Sequence, residues 1–188
     1  MHKTLRAKCI LMGSPACGKT SIVQSFCSEG REFSQNYCMS TAVELTVRTV
    51  IIPEANDNIE LFLYSTPGKE VFNDFTKHYL DLVNVMVVVF DVNDIQSFSA
   101  AKLIVSESRK ESNHMSIPIA LVGNKIDLGL RRVTDKEKAQ KFADEQNIPY
   151  FETSAKEAIG IEAPFLYLIK EYYKLYTDSV HHYKTLIL

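Results

Sequence analysis

The chain is poor in features that would tie it to a membrane, a metal or an oxidising compartment. Its four cysteines, Cys9, Cys17, Cys27 and Cys38, form no C-x-x-C pair and no metal-ligand spacing, so they read as reduced thiols of a cytosolic protein. None follows Cys38, so no C-terminal prenyl anchor is expected. No apolar run approaches the roughly 20 residues that a membrane span needs, and the first one lacks a signal-peptide cleavage pattern. A soluble protein is expected. Neither sign of charge dominates: the net charge of −2 argues against general nucleic-acid binding. There is no internal repeat and no low-complexity segment. The pair His181-His182 has no cysteine or carboxylate beside it at ligand spacing, so no metal site is expected there.

What is present is a core large enough for one domain. In 188 residues, 46% are hydrophobic. Elements alternate as a doubly wound α/β sheet demands. Ala7–Met12 reads as a buried strand and Lys19–Cys27 as a helix. Val43–Ile52 alternates apolar and polar residues, as a half-buried strand does. The cluster Pro53-Glu54-Ala55-Asn56-Asp57-Asn58 then turns it back into Ile59–Tyr64, which predicts a hairpin. Val85–Phe90 has no polar face and predicts a central parallel strand. A helix over Ile95–Lys110, a strand over Ile119–Val122, a helix over Asp135–Glu145 and a strand over Pro149–Thr153 follow. A long helix starts near Ala163. The expected sum is one mainly parallel sheet of six strands with a single antiparallel hairpin strand, and five helices on its two faces.

Residues 13 to 20, Gly13-Ser14-Pro15-Ala16-Cys17-Gly18-Lys19-Thr20, match the phosphate-binding pattern G-x-x-x-x-G-K-[ST]. A predicted strand precedes them and a predicted helix follows. Gly13 and Gly18 let the backbone curl until several N–H groups face one anion, to which the helix N-terminus adds partial positive charge. Lys19 supplies a point charge for β- and γ-phosphates, and the Thr20 hydroxyl can ligate Mg²⁺. Pro15 and Cys17 occupy variable positions of the pattern and are assigned no chemistry.

Two more motifs fall after buried strands, where open α/β sheets bind ligands. Asn124-Lys125-Ile126-Asp127 is N-K-x-D, and Ser154-Ala155-Lys156 is S-A-K. The Asp127 carboxylate can accept from both N1–H and the 2-amino group of a purine. Guanine has that donor pair and adenine lacks it, so the carboxylate selects by leaving itself unpaired against ATP.

With these motifs the chain resembles the Ras-like small GTPases, and within them the Rab branch. The likeness covers about residues 5 to 176, with 177 to 188 as a C-terminal extension of the single domain. It implies a P-loop GTPase fold that binds GTP or GDP with Mg²⁺. It implies that Asn124 and Asp127 read guanine, that Lys125 packs on the ring, and that the Ala155 N–H meets the base oxygen. Phe33 resembles the aromatic that stacks on the base. Its distance to Ser40 matches the spacing to the switch threonine that binds Mg²⁺, although a slip to Thr41 stays open. Between the phosphate loop and Phe33 the chain carries about two extra residues, and Ala42 stands where the family usually has glycine.

The family's D-T-A-G-Q-E corresponds to Ser65-Thr66-Pro67-Gly68-Lys69-Glu70. Gly68 is kept, so its N–H can still report a γ-phosphate. Ser65 replaces the aspartate that orients water on Mg²⁺, which should weaken the ion, most of all with GDP. Lys69 replaces the catalytic glutamine. An ammonium has three donors and no acceptor, so it cannot hold the attacking water, and very slow hydrolysis is expected. Pro67 should stiffen the start of this switch. Glu70 reads as a solvated side chain.

Phe151-Glu152-Thr153-Ser154-Ala155-Lys156-Glu157, Glu162-Ala163-Pro164-Phe165 and Leu61-Phe62-Leu63-Tyr64 are similar to the Rab-like GTPase subunits of intraflagellar transport complex B. That likeness implies a cytoplasmic protein of the cilium or flagellum. It also implies a heterodimer with a β-sandwich subunit, further complex B partners, and effectors at the switch regions. Phe165, Leu168 or Ile169, Tyr172, Tyr176, Val180, Tyr183 and Ile187 recur at helical spacing. Tyr167 and Tyr173 leave that stripe and widen an aromatic surface suited to a partner. Three functions stay open: a nucleotide-gated interaction module, a hydrolase completed by a partner in trans, and a structural subunit that needs no nucleotide.

Overall fold

Successive residues of the central strands bury side chains on opposite faces, and that alternation builds the whole domain. In the computed structural model, which describes residues 3–33, 42–52, 55, 57–67, 83–111 and 117–187, six strands form one sheet in the order β2-β3-β1-β4-β5-β6. The strands are β1 (Thr4–Met12), β2 (Glu44–Ile52), β3 (Asp57–Ser65), β4 (Val85–Asp91), β5 (Ile119–Asn124) and β6 (Tyr150–Thr153). Among the described strands only the β2–β3 pair is antiparallel. Among the described residues there are four α-helices: α1 (Lys19–Cys27), α2 (Ile95–Glu111), α3 (Lys136–Glu145) and α4 (Glu162–Ile187). A 3-10 segment spans Ile126–Arg131.

The uniformly apolar β4 shows why a central parallel strand needs no polar face. Val85, Val87 and Val89 join Ile22, Phe26, Phe165 and Leu168 in the core beneath α1 and α4. Met86, Val88 and Phe90 join Phe98, Ile104 and Ala139 in the core beneath α2 and α3. Helices therefore cover both faces, as expected.

The strand ends differ from the sequence pattern where pairing extends beyond the apolar residues. β1 starts at Thr4, which pairs with Asn58, and β3 starts at Asp57. The Asp57 carboxylate is held at both oxygens, by Lys3 N at 3.0 Å and Tyr173 Oη at 2.9 Å. β5 runs on to Asn124, because backbone pairing with Asp91 and Thr153 continues past the apolar stretch.

The last helix is one continuous element of 26 residues. Phe165, Leu168 and Ile169 are buried, and Phe165 stacks on Phe26 with ring centroids 4.1 Å apart. The Arg48 guanidinium covers the other side of that stack, 4.1 Å from the Phe26 ring centre. It also donates to the Phe26 carbonyl and to Glu162. One arginine of β2 thus satisfies a carbonyl in the last turn of α1 and pins the start of α4. Tyr173 is half-buried: it packs against the edge of the core, where Asp57 accepts from its hydroxyl. Tyr167 does stand exposed, and towards the C-terminus the helix is increasingly open, with Tyr183 at 66% exposure.

Candidate functional site

At the carboxyl end of β1 the chain must turn sharply under β4, and only glycine fits. A Cβ on Gly13 would lie 2.1 Å from the Val89 carbonyl oxygen, and one on Gly18 would lie 2.2 Å from Asn124 Nδ2. Gly18, at φ 98°, caps α1, so the first free N–H groups of the helix open into the loop. Lys19 is 6% exposed, and its ammonium donates to the carbonyls of Gly13 and Ser14, both at 2.9 Å. Burial lowers the Lys19 pKa, a strain that an anion in the loop would relieve. Ser14, Pro15 and Ala16 line the outer rim, while Cys17 is buried with its thiol pushed up by desolvation. Such a loop could hold a polyphosphate.

Thr20, in the first turn of α1, meets the last residue of β3. Its Oγ1 lies 3.1 Å from Ser65 Oγ. Ser65 is held there from below, because the Thr66 N–H and hydroxyl both donate to the Leu11 carbonyl, at 3.3 and 2.9 Å. For Mg²⁺ this donor set is thin: two neutral hydroxyls and no carboxylate on the strand. Thr20 could still hold the ion together with phosphate oxygens. Among the described residues no group of three or more His, Cys, Asp or Glu could hold a metal ion by itself.

The second half of the site converges on Asn124, which is 1% exposed. Its Nδ2 donates to the Cys17 carbonyl at 3.0 Å. Its Oδ1 accepts from Thr153 Oγ1 at 3.1 Å and from the Ala155 N–H at 3.2 Å. Asp127 accepts at Oδ1 from the Ser154 hydroxyl at 2.7 Å, and Ser154 Oγ in turn accepts from Glu157 N at 3.1 Å. That leaves Asp127 Oδ2 to meet donors of a ligand. Lys125 sits at φ 68°, with its ammonium 2.8 Å from Asp91 Oδ2. Its carbonyl accepts from Asn93 Nδ2 at 3.1 Å, and Asn93 is itself held on Asp91 Oδ1. Asp91 and Asn93 thus hold Lys125 at its ammonium and at its carbonyl.

Of the residues singled out in the sequence, the structure brings Gly13 to Thr20, Asn124, Lys125, Asp127, Ser154 and Ala155 to the carboxyl ends of the parallel strands. Lys156 is exposed beside them, and Phe33 stands 37% exposed at the end of its described segment. Ser40, Thr41, Gly68, Lys69 and Glu70 lie outside the described residues. Sequence reasoning overlooked Asp91, Asn93 and Thr153 as supports of the base-side loops. The available signal was a lone carboxylate ending an otherwise apolar strand, and a threonine immediately before S-A-K.

Comparison with known proteins gives the same direction. Residues 8–174 match the model of the Ras family. The chain is 42% identical over 183 residues to mouse "Intraflagellar transport protein 27 homolog", covering 97% of this chain and 98% of the relative. It is 35% identical over 158 residues to "Ras-related protein RabQ" of Dictyostelium discoideum, covering 84% and 75%. It is 33% identical over 159 residues to "GTP-binding protein YPTM1" of Zea mays, covering 85% and 74%.

Proposed function

The chain belongs to the Ras family, and from that premise we propose that it is a GTP-binding, Rab-like subunit of the intraflagellar transport machinery whose nucleotide gates its contacts and is hydrolysed very slowly. One observation carries the nucleotide reading. The Asn124 side chain bonds at once to the phosphate loop, through Cys17, and to the S-A-K loop, through Ala155. One side chain therefore ties the proposed phosphate subsite to the proposed base subsite.

In this reading Lys19 turns its ammonium from the loop carbonyls to the β- and γ-phosphates, and the α1 N–H groups take the remaining charge. Asp127 Oδ2 accepts from guanine, Lys125 packs on the ring, and the Ala155 N–H meets the base oxygen while keeping Asn124 Oδ1. Thr20 and Ser40 would hold Mg²⁺, which would supply positive charge against the phosphates. Phe33 covers the base. Gly68 reports the γ-phosphate, and Lys69 lacks the acceptor that positions water. The gated surface is the pair of switch segments, where effectors bind.

The transport role is supported by the likeness to the mouse intraflagellar transport protein 27 homolog, which extends over nearly the whole chain. The outer turns of α4, with Tyr176, Val180 and Tyr183 on one side, form the standing interface for a β-sandwich subunit of complex B. The protein then works in the cytoplasm of the cilium or flagellum, held by its partners. Among the described residues no helix is long and apolar enough to cross a membrane.

The direct test is to purify the protein, release its ligand by denaturation and identify it by chromatography. Stoichiometric GTP or GDP supports the proposal. Protein that carries none, and takes up none at about micromolar concentration, contradicts it.

A further inference from the structure

Ser65 is buried at 1% exposure and held on three sides. Its backbone pairs with Leu11 of β1 and Glu44 of β2, and the next residue is anchored twice on the Leu11 carbonyl. Its hydroxyl shares a hydrogen bond with Thr20, whose backbone lies in the first turn of α1 beside Lys19. Thr20 is therefore oriented by the protein itself, with no cation required.

Charge makes the difference. A carboxylate at this buried position would face the polyphosphate at close range, and two anions in a poorly hydrated site repel unless a divalent ion stands between them. That repulsion makes the metal obligatory for tight binding. A serine removes the repulsion and substitutes a neutral contact. Glu44, which opposes Ser65 across the β2 register, is exposed, where solvent screens it. The positive charge that remains is built in: the buried Lys19 ammonium and the free N–H groups of α1, neither of which depends on a metal.

We propose that the Ser65–Thr20 hydroxyl pair uncouples nucleotide retention from Mg²⁺, so that this chain holds guanine nucleotide almost equally with and without the ion. The proposal rests on the nucleotide reading above and adds a property to it. The position is a tuning point: restoring a carboxylate should restore metal dependence.

The test measures the dissociation constant and release rate of fluorescently labelled GDP, in excess MgCl₂ and in excess EDTA. The purified full-length chain is compared with Ser65→Asp and with the neutral isostere Ser65→Asn. For the native chain the affinity should change by less than about tenfold between the two conditions, and Ser65→Asn should keep that indifference. Ser65→Asp should bind about 100-fold or more weakly in EDTA than in Mg²⁺. A native chain that loses more than about tenfold in EDTA overturns the proposal, and so does a folded Ser65→Asp that stays indifferent. The native measurement stands alone if Ser65→Asp does not fold. If no guanine nucleotide binds under either condition, the failure lies in the nucleotide reading itself.

Discussion

The Lys125 ammonium and the Asp91 carboxylate, one from the N-K-x-D loop and the other from the end of β4, meet at 2.8 Å. The contact ties the base-side loop to the neighbouring strand, and Asn93 reinforces it through the Lys125 carbonyl. Asp91 thus positions the Lys125 side chain.

Replacing Asp91 with Asn should free the lysine. The pair is only partly buried, with side chains 31% and 15% exposed, so solvent screening limits its worth to about 1 kcal/mol. Guanine nucleotide affinity should fall about fivefold, chiefly through faster release. Stopped-flow release of labelled GDP would check this, and an unchanged rate would remove Asp91 from the account.

Asn124→Ala should do far more. It leaves the Cys17 carbonyl, the Ala155 N–H and the Thr153 hydroxyl without their partner in a buried site. Two unsatisfied groups alone cost about 2–3 kcal/mol, and affinity should drop by about 100-fold. Asn124→Asp keeps the acceptor but sets an oxygen against the Cys17 carbonyl, so it should be no milder. Calorimetric titration with GDP, together with thermal melting, would separate lost binding from lost fold.

Hydrolysis offers a third measurement. With Lys69 the single-turnover rate should lie at or below about 10⁻⁴ per second, and Lys69→Gln should raise it by about tenfold. A hydrolase already completed by a partner would gain little from the change. Release of phosphate from preloaded GTP distinguishes the two.

The Tyr150 hydroxyl donates to Glu152 Oε1 at 2.9 Å, and burial together with that carboxylate raises its pKa above the usual tyrosine value. Above about pH 10 the unfolded chain loses this proton and the folded one keeps it, so stability falls as pH rises. The contribution is fully present below that point. Tyr150→Phe should therefore show a shallower alkaline decline of the thermal midpoint than the native chain, whatever its stability near neutral pH.

The sequence by itself determined what short windows can encode. The alternation in Val43–Ile52 and the apolar run of Val85–Phe90 marked strands with different surroundings, and both are found in the sheet. The spacing of the glycines, Lys19 and Thr20 marked the cradle, because backbone curvature and helix start are local properties. The helical stripe after Ala163 anticipated the long last helix, since periodicity alone defines a helix face. What only the tertiary structure decided are pairings whose members are far apart along the chain. Thr20 meets Ser65 at a separation of 45 residues, Cys17 meets Asn124 at 107, and Asp57 meets Tyr173 at 116. Nothing in a local window predicts these contacts, because they depend on strand order and register. That is why the Tyr173 partner, and the role of Asp91 as a support, became visible only once the strands lay side by side.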